Sequence, residues 1–302
     1  MDVILNTSEE SRSSYSVLSN KKWRCHMPYL SNNGNIIEEN VSIRGIPCIR
    51  FIPGWKSKPL PTIVFYHGWS SAKENQRFRG FILSNLGYQV IIPDAIYHGE
   101  RNPIDYDDPD SAAKYFWGVI LNNMDEFYTL AEELIDKYDT DPNNIAVTGH
   151  SMGGFTSAGI FTHNKNVKTS VILNGSLNWK MSNEIFLKKL TTDTAEGEDL
   201  AIKVSLLDPI NNLHKLVDRP LLILHGAEDN VVSKIPQQVF YNKIKSLYED
   251  KTKIKMTEYP FLGHVVTTNM LEDAARWLLK YIECTEDALE CTGDGSWCIK
   301  SN

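Results

Sequence analysis

Two kinds of segment are missing from this sequence. No apolar run approaches the roughly 20 residues that a membrane-spanning helix needs, and no long run of basic residues occurs. The 38 acidic against 31 basic residues give a formal net charge of −7, whereas nucleic-acid-binding proteins present clustered positive charge. Residues 1–6 also lack the basic and apolar regions of a signal peptide. We therefore expect a soluble, cytoplasmic protein with no membrane span and no nucleic-acid partner.

Cysteine is scarce, and its count is odd. Five cysteines in 302 residues do not indicate a disulfide framework. Cys284, Cys291 and Cys298 are spaced by seven residues, and we favour free thiols there over a disulfide or a metal clip. Three histidines match no metal-ligand spacing, namely His26, His163 and His214. We expect no metal site and no cofactor.

Apolar runs alternate with segments of helical length along most of the chain. The runs lie at 62–66, 89–92, 145–147, 170–173, 221–224 and 253–256, and the helical candidates lie at 73–86, 112–138, 152–162, 236–248 and 267–282. Residues 41–51 contain alternating β-forming residues and are predicted to form a hairpin around Gly45. Because most of the runs are apolar throughout rather than alternating, they are typical of strands covered on both faces. This alternation predicts an α/β fold, with a mainly parallel sheet and helices on both faces.

Three regions follow from this pattern. Residues 1–34 are polar and serine-rich and are predicted to form an arm, residues 35–283 the main domain, and residues 284–302 a tail. Within the domain, the segment at about 180–219 is too long for a simple connection between two strands. We predict a small helical cap there, over the carboxyl ends of the strands where ligands bind. The alternative is a distal bundle without substrate contact.

The most informative motif is Gly149-His150-Ser151-Met152-Gly153-Gly154, which follows a predicted strand and precedes a predicted helix. A serine between two glycines on such a sharp turn is typical of a nucleophile elbow. Small residues are needed on both sides because the turn brings two backbones together. Ser151 is therefore the candidate nucleophile.

A serine hydroxyl needs a base, and the base needs a carboxylate that orients it. In this type of fold the chain order is serine, acid, histidine. Glu228 and Asp229 both follow the predicted strand 221–224, and we favour Asp229 because Val232 can anchor its loop. His264 follows the next predicted strand, after Gly263, and is the candidate base.

The negative charge that develops on the substrate oxygen requires two backbone N–H donors. One is expected from Met152, directly after the serine, and the other from Trp69, in the loop after the strand 62–66. Gly68 allows the backbone of this loop to approach a substrate closely. The Trp69 indole is a candidate wall of the acyl pocket, with plain packing as the alternative.

These motifs together resemble an α/β-hydrolase. The residues that carry the resemblance are His67-Gly68, Asp94, the stretch 149–154, His225-Gly226 with Asp229, and Gly263-His264. More narrowly, residues 40–283 are similar to the single-domain esterases of the prolyl-oligopeptidase and dienelactone-hydrolase branch. The stretch 93–101 resembles a loop of small bacterial esterases in that branch. An oligopeptidase is disfavoured because the residues before 40 leave no room for a propeller domain. Dienelactone hydrolases use a cysteine, which disfavours their substrate here.

The loop after the strand 89–92 carries His98, Glu100 and Arg101. His98 is a candidate substrate-binding residue because the loop lies at the catalytic edge. The other functional interpretation is an ion pair that holds the loop, and for these three residues together we favour a structural one, turn geometry around Gly99. His150 is expected to face away from the substrate and to pack against the protein.

The sequence therefore predicts a serine hydrolase that cleaves small-molecule carboxylic esters through an acyl-enzyme intermediate. The same residues would serve a thioesterase, an amidase or peptidase, or an acyltransferase. A binding protein that keeps the fold without turnover is disfavoured, because nucleophile, base, acid and both donor loops are all present. The oligomeric state is not predicted.

Overall fold

The computed structural model describes residues 35–186, 195–282, 289–291 and 297–299. The predicted amino-terminal arm, residues 1–34, and most of the predicted tail lie outside these residues. Within the tail, Leu289–Cys291 and Trp297–Ile299 pair as a short antiparallel hairpin. The prediction of free thiols there concerns side chains outside this description.

Eight strands form one sheet in the order β1-β2-β4-β3-β5-β6-β7-β8. The strands β1 and β2 form the predicted hairpin, and β2 runs antiparallel to β4, whereas all pairs from β4 to β8 are parallel. Parallel strands all end at one edge, so the loops that follow them meet there. The strand bounds are β1 Ile36–Ile43, β2 Ile46–Pro53, β3 Leu60–Tyr66, β4 Gln89–Pro93, β5 Thr140–His150, β6 Val167–Leu173, β7 Leu221–Gly226 and β8 Ile254–Tyr259.

Helices cover both faces of the sheet, as predicted. Alternate residues of each central strand enter different apolar clusters: Leu221 and Ile223 of β7 pack with α2, α3 and α6, whereas Leu222 and Leu224 pack with α1 and α7. The predicted α/β-hydrolase fold is confirmed. The helix bounds are α1 Arg77–Ser84, α2 Pro109–Lys137, α3 Met152–His163, α4 Trp179–Phe186, α5 Ala195–Leu207, α6 Ile235–Lys245 and α7 Thr268–Tyr281.

Helix boundaries differ from the predicted ones where local side chains set them. Helix α2 begins at Pro109, three residues before the predicted start, because Asp108 caps it by accepting the Asp110 N–H at 3.1 Å. The predicted helix at 73–86 is divided into a 3-10 turn, Lys73–Gln76, and helix α1. The buried Lys73 side chain has partners outside its own helix, so this turn is shaped by tertiary contacts.

The described parts of the long segment after β6 are mostly helical. Helices α4 and α5 are followed by two 3-10 turns, and the buried Asp208 joins the two parts. Its carboxylate accepts the backbone N–H groups of Trp179 and Lys180, at the start of α4, at 3.0 and 2.9 Å. Val204 of α5 and Leu216 are buried in the core on the α2 and α3 side. Contact between this segment and a substrate stays a prediction.

Among the described residues, no helix combines the length and the apolar character that crossing a membrane requires.

Because helices cover both faces of the sheet, side chains on either face of β7 should contribute to stability. Leu222→Ala and Ile223→Ala each remove a fully buried side chain, on opposite faces, so each should lower the free energy of unfolding by about 2–5 kcal/mol. Ile235→Ala, at a residue that is 51% exposed, should change it by less than about 0.5 kcal/mol. Urea denaturation measures all three. A loss at only one of the two β7 positions would contradict a sheet buried on both sides.

Candidate active site

The turn between β5 and α3 places Ser151 at the edge of the sheet. Its backbone has φ 57° and ψ −122°, a conformation that residues with a side chain rarely adopt. The turn is held by the Ser151 N–H, which donates to the Leu173 carbonyl of β6 at 2.9 Å. Such strain, on the order of 1–3 kcal/mol, persists only where the surrounding structure enforces it.

Close backbone contacts explain the two glycines around Ser151. A Cβ atom on Gly149 would lie 2.4 Å from the carbonyl carbon of Gly153, and one on Gly153 would lie 2.1 Å from the carbonyl oxygen of Tyr66. Both distances are far below van der Waals contact with backbone atoms that cannot move aside. The small residues that the motif predicts are therefore a steric requirement of this turn.

The structure brings the three predicted catalytic residues into one hydrogen-bonded chain. His264 Nε2 lies 2.9 Å from Ser151 Oγ, and His264 Nδ1 lies 2.7 Å from Asp229 Oδ2. Asp229 follows β7 and His264 follows β8, so two neighbouring strands deliver them to the same edge. The alternative acid, Glu228, is exposed, and its backbone N–H bonds to Leu262 instead.

The environment of Asp229 favours its ionised form. Burial alone would raise its pKa, but hydrogen bonds from His225, His264 and the Val232 N–H hold the pKa of this carboxyl well below its usual range. Asp229 Oδ1 accepts the N–H groups of Val231 and Val232, both at 2.9 Å. Because an ionised carboxylate only accepts, His264 carries its proton on Nδ1 and presents the lone pair of Nε2 to Ser151.

His225 is a further neighbour of Asp229. Its ring is fully buried, its Nε2–H donates to the Val232 carbonyl at 2.8 Å, and the same nitrogen lies 3.4 Å from Asp229 Oδ2. It therefore supports the loop that holds the carboxylate. In the sequence His225 belongs to the motif that precedes Asp229, and no local pattern indicates this contact.

The two segments that carry the predicted N–H donors both adjoin Ser151. Gly68 is so close that a Cβ atom on it would lie 3.3 Å from the Ser151 Cβ. Within the described ranges, the N–H groups of Trp69 and Met152 donate no hydrogen bond to the protein. Met152 occupies the start of α3, and the role of both N–H groups as donors to a substrate stays a prediction.

His67 fixes the loop that carries Gly68 and Trp69. Its Nε2 accepts the Ala95 N–H at 3.0 Å, so the ring proton is on Nδ1, which donates to the Gly68 carbonyl at 2.8 Å. One buried side chain thus ties the loop after β3 to the loop after β4. The residue was visible in the sequence, but its second partner lies 28 positions away.

Asp94 holds the loop after β4 in place. Its buried carboxylate accepts from the Lys73 N–H at 2.9 Å, from Lys73 Nζ at 2.8 Å and from the Glu100 N–H at 3.0 Å. Arg101 donates to the Asp94 carbonyl at 3.1 Å and pairs with both carboxylate oxygens of Glu126. Glu100 and Arg101 therefore act as the ion-pair supports of this loop that the sequence left as an alternative.

His98 lies behind Trp69 rather than at the surface. Its ring is 0% exposed, and the two ring centroids are 5.1 Å apart in an edge-to-face arrangement. Its Nδ1–H donates to the Ile96 carbonyl at 2.9 Å, and burial lowers the pKa of His98 to about 4. Its substrate contact stays a prediction, and in this arrangement any influence on a substrate passes through the half-buried Trp69. Trp69 also contacts Tyr106 and Phe116.

Across the described parts of the chain, no three His, Cys, Asp or Glu side chains converge in a way that could hold a metal ion.

The family is decided by comparison with known proteins. A model described as the prolyl oligopeptidase family matches residues 110–285, more than half of the chain, and this range includes Ser151, Asp229 and His264. The chain belongs to the prolyl oligopeptidase family. The resemblance drawn from its motifs is confirmed, and as a member of this family the chain is a hydrolase.

Two curated relatives and one solved structure each match more than four fifths of the chain. YitV of Bacillus subtilis is 30% identical over 262 residues, 83% of this chain and 98% of YitV. The esterase YjfP of Escherichia coli is 28% identical over 249 residues, 81% of this chain and 98% of YjfP. TT1662 from Thermus thermophilus shares the fold, with a TM-score of 0.68, 20% identity and coverage of 83% of this chain and 99% of that chain.

Buried histidines make the stability of this hydrolase depend on pH. Burial lowers the pKa of His67, that of His98 to about 4 and that of His150 to about 3, whereas an unfolded histidine titrates near 6.5. Below that pH the unfolded chain binds protons that the folded chain does not. Stability should therefore be full above about pH 6.5 and fall as the pH drops from 6.5 to 5.

Urea denaturation between pH 7.5 and 5 measures this slope, to which each group adds at most about 1.4 kcal/mol per pH unit. His98→Gln should flatten it, and the matched change at an exposed histidine, His214→Gln, should leave it unaltered. A slope that His98→Gln does not change would show that this histidine titrates alike in both states.

Proposed function

We propose that this hydrolase is a serine carboxylesterase with Ser151 as nucleophile, His264 as base and Asp229 as the orienting acid. The observation that carries the proposal is the continuous hydrogen-bonded chain from Ser151 Oγ through the His264 ring to Asp229. The serine hydroxyl needs a base that accepts its proton. The histidine that acts as this base needs a buried carboxylate hydrogen-bonded to its other ring nitrogen. Its substrate is a small-molecule ester, it requires no cofactor, and it acts in the cytoplasm.

The reaction proceeds in two steps through the same residues. Ser151 Oγ attacks the ester carbonyl while His264 Nε2 takes its proton, and Asp229 stabilises the imidazolium that forms. The carbonyl oxygen becomes negative and accepts hydrogen bonds from the Trp69 and Met152 N–H groups. The carbon–oxygen bond to the alcohol then breaks, and His264 returns the proton to the leaving oxygen. Water repeats the sequence on the acyl-enzyme and releases the acid and Ser151.

We favour esters over other acyl compounds as substrates because YjfP is named an esterase, and the match with this chain covers 98% of YjfP. A thioesterase, an amidase or peptidase and an acyltransferase would use the same three residues, so product analysis must separate them. Partition of the acyl-enzyme between water and added alcohols or amines distinguishes hydrolysis from transfer. A binding protein without turnover would not need the hydrogen-bonded chain.

Covalent labelling tests the nucleophile. A fluorophosphonate should label the wild-type protein at Ser151 and leave Ser151→Ala unlabelled, and kcat on p-nitrophenyl acetate should fall by about 10⁴-fold or more in that variant. Ser246→Ala, at an exposed serine near the end of α6, is the matched control and should keep both labelling and turnover. A folded wild-type protein that takes no label would refute the proposal.

The Trp69 side chain is proposed to form one wall of the acyl pocket. Its indole is half-buried and wedged between His98 and Phe116, directly after the glycine that faces Ser151. Trp69→Ala keeps the backbone N–H and removes the wall. It should therefore move the chain-length optimum of a p-nitrophenyl ester series toward longer acyl groups, with kcat/KM for the longer esters raised by about tenfold relative to acetate. Trp55→Ala, at an exposed tryptophan after β2, should leave the series unchanged. An unchanged series in Trp69→Ala would place the acyl pocket elsewhere.

A further inference from the structure

A second imidazole lies against the candidate base. His150 precedes Ser151, and its ring centroid lies 4.7 Å from that of His264, with 36° between the ring planes. As predicted, the His150 side chain packs against the protein. The group it packs on is the ring of His264, the candidate acceptor of the serine proton. Any charge on His150 would therefore act directly on His264.

Asn174 connects this pair to the surrounding loops. It follows β6, is 0% exposed and has φ 46°, in the left-handed region that asparagine tolerates better than most residues. Its Oδ1 accepts the Gly226 N–H at 2.9 Å, at the end of β7. Its Nδ2 donates to the Val265 carbonyl, beside His264, at 2.9 Å, and lies 3.4 Å from His150 Nε2. One amide thus holds the acid-bearing loop, the histidine-bearing loop and the second imidazole.

These contacts determine the charge of His150. The Nδ2 group of Asn174 is a donor only, so His150 Nε2 accepts and the ring is neutral, with its proton on Nδ1. Burial lowers the pKa of His150 to about 3, and the charge of Arg79 and any charge that His264 takes up act in the same direction. The charge of Asp229 opposes this and His225 adds to it, but neither reverses it.

We propose that Asn174 is a positioning residue for the reaction, which fixes the His264 loop and keeps His150 as the uncharged ring on which His264 stacks. The reason is electrostatic: His264 becomes an imidazolium during each step, and a second imidazolium in contact with it would repel that charge. The proposal rests on the proposed function, because it assigns Asn174 a role in the same proton transfer. It adds a residue that none of the catalytic motifs contains.

The three contacts divide between support and positioning. Bonding of Oδ1 to Gly226 joins β6 to β7 and would serve any protein of this fold. The two N–H groups instead face the loop and the ring that adjoin His264. Asn174→Asp separates the two functions, since it is the same size, keeps an acceptor for Gly226 and replaces both donors by a carboxylate oxygen.

Steady-state kinetics of Asn174→Asp test the proposal. With p-nitrophenyl acetate, kcat should fall by about tenfold or more while KM changes by less than about threefold, because the His264 ring is displaced and substrate binding is not. Asn85→Asp is the matched control: this exposed asparagine ends α1, donates to the Phe81 carbonyl at 2.8 Å, and should leave kcat unchanged. A folded Asn174→Asp protein with wild-type kcat overturns the proposal.

The pH profile distinguishes positioning from a loss of stability. A carboxylate opposite His150 Nε2 favours the imidazolium form of His150, which loses its proton only as the pH rises. The acid limb of kcat/KM should therefore shift to higher pH in Asn174→Asp. The double variant Asn174→Asp with His150→Phe keeps a ring at position 150 that cannot be charged. Its acid limb should therefore lie close to that of the single variant His150→Phe. A shift that persists in the double variant means that the carboxylate acts directly on His264, and it overturns the role of His150.

A second pair of variants covers the case in which Asn174→Asp does not fold. His150→Ala removes the ring and His150→Phe retains it, so His150→Ala should lose about tenfold more kcat than His150→Phe. Equal losses would overturn the stacking role. Fluorophosphonate labelling of the wild-type protein distinguishes failure of the proposed function from failure of the positioning role. If the wild-type protein takes no label, the proposed function is wrong. If it is labelled, the kinetic results test only the role of Asn174 and His150.

Discussion

The left-handed turn at Ser151 is the constraint on which the rest of this active site depends. The turn forces glycine at 149 and 153, since any Cβ there would collide with backbone atoms. It also places Ser151 Oγ within hydrogen-bond distance of His264, and the ring of the neighbouring His150 packs on the same histidine. The strain of the turn is held by the bond from Ser151 to Leu173 and by the packing of α3 on the sheet.

The same edge of the sheet collects groups from five loops. The loops after β3, β5, β7 and β8 carry the N–H donors, the serine, the acid and the histidine, and the residue after β6, Asn174, bonds to two of these loops. The loops after β3, β7 and β8 are held by buried polar side chains as well as by apolar packing. His67 ties the β3 loop to the β4 loop, and Asp94 with Lys73 secures the β4 loop in turn. Since polar bonds are directional, they set the distances between the reacting groups more narrowly than apolar contacts do.

Patterns that are local in the sequence predicted the fold and much of the site. The strands were recognisable because most of them are apolar throughout, and Ser151 because glycines stand at fixed offsets from it. Asp229 and His264 were identifiable because each follows a predicted strand in the expected order. The start of α2 was placed three residues late because its cap, Asp108, lies before the apolar pattern begins.

Residues whose role lies in distant contacts could not be found in this way. Asn174 carries no motif, and its partners stand 24, 52 and 91 positions away. His98 looked like a candidate for substrate contact because of its loop, yet the structure packs it behind Trp69. Lys73, a charged residue in a predicted helix, is buried because Asp94 and Glu100 neutralise it.

The sequence alone determined which residues are candidates for the proposed chemistry, since the elbow, the acid and the histidine each follow from short-range steric or chemical requirements. Tertiary structure decided everything that depends on pairing across the sheet: that Asp229 and not Glu228 reaches His264, that His67 orders the donor loop, and that a neutral His150 stacks on the base. The physical reason is that hydrogen bonds and charge interactions act over a few ångströms in space, and only the folded sheet brings residues 67, 151, 174, 229 and 264 within that range.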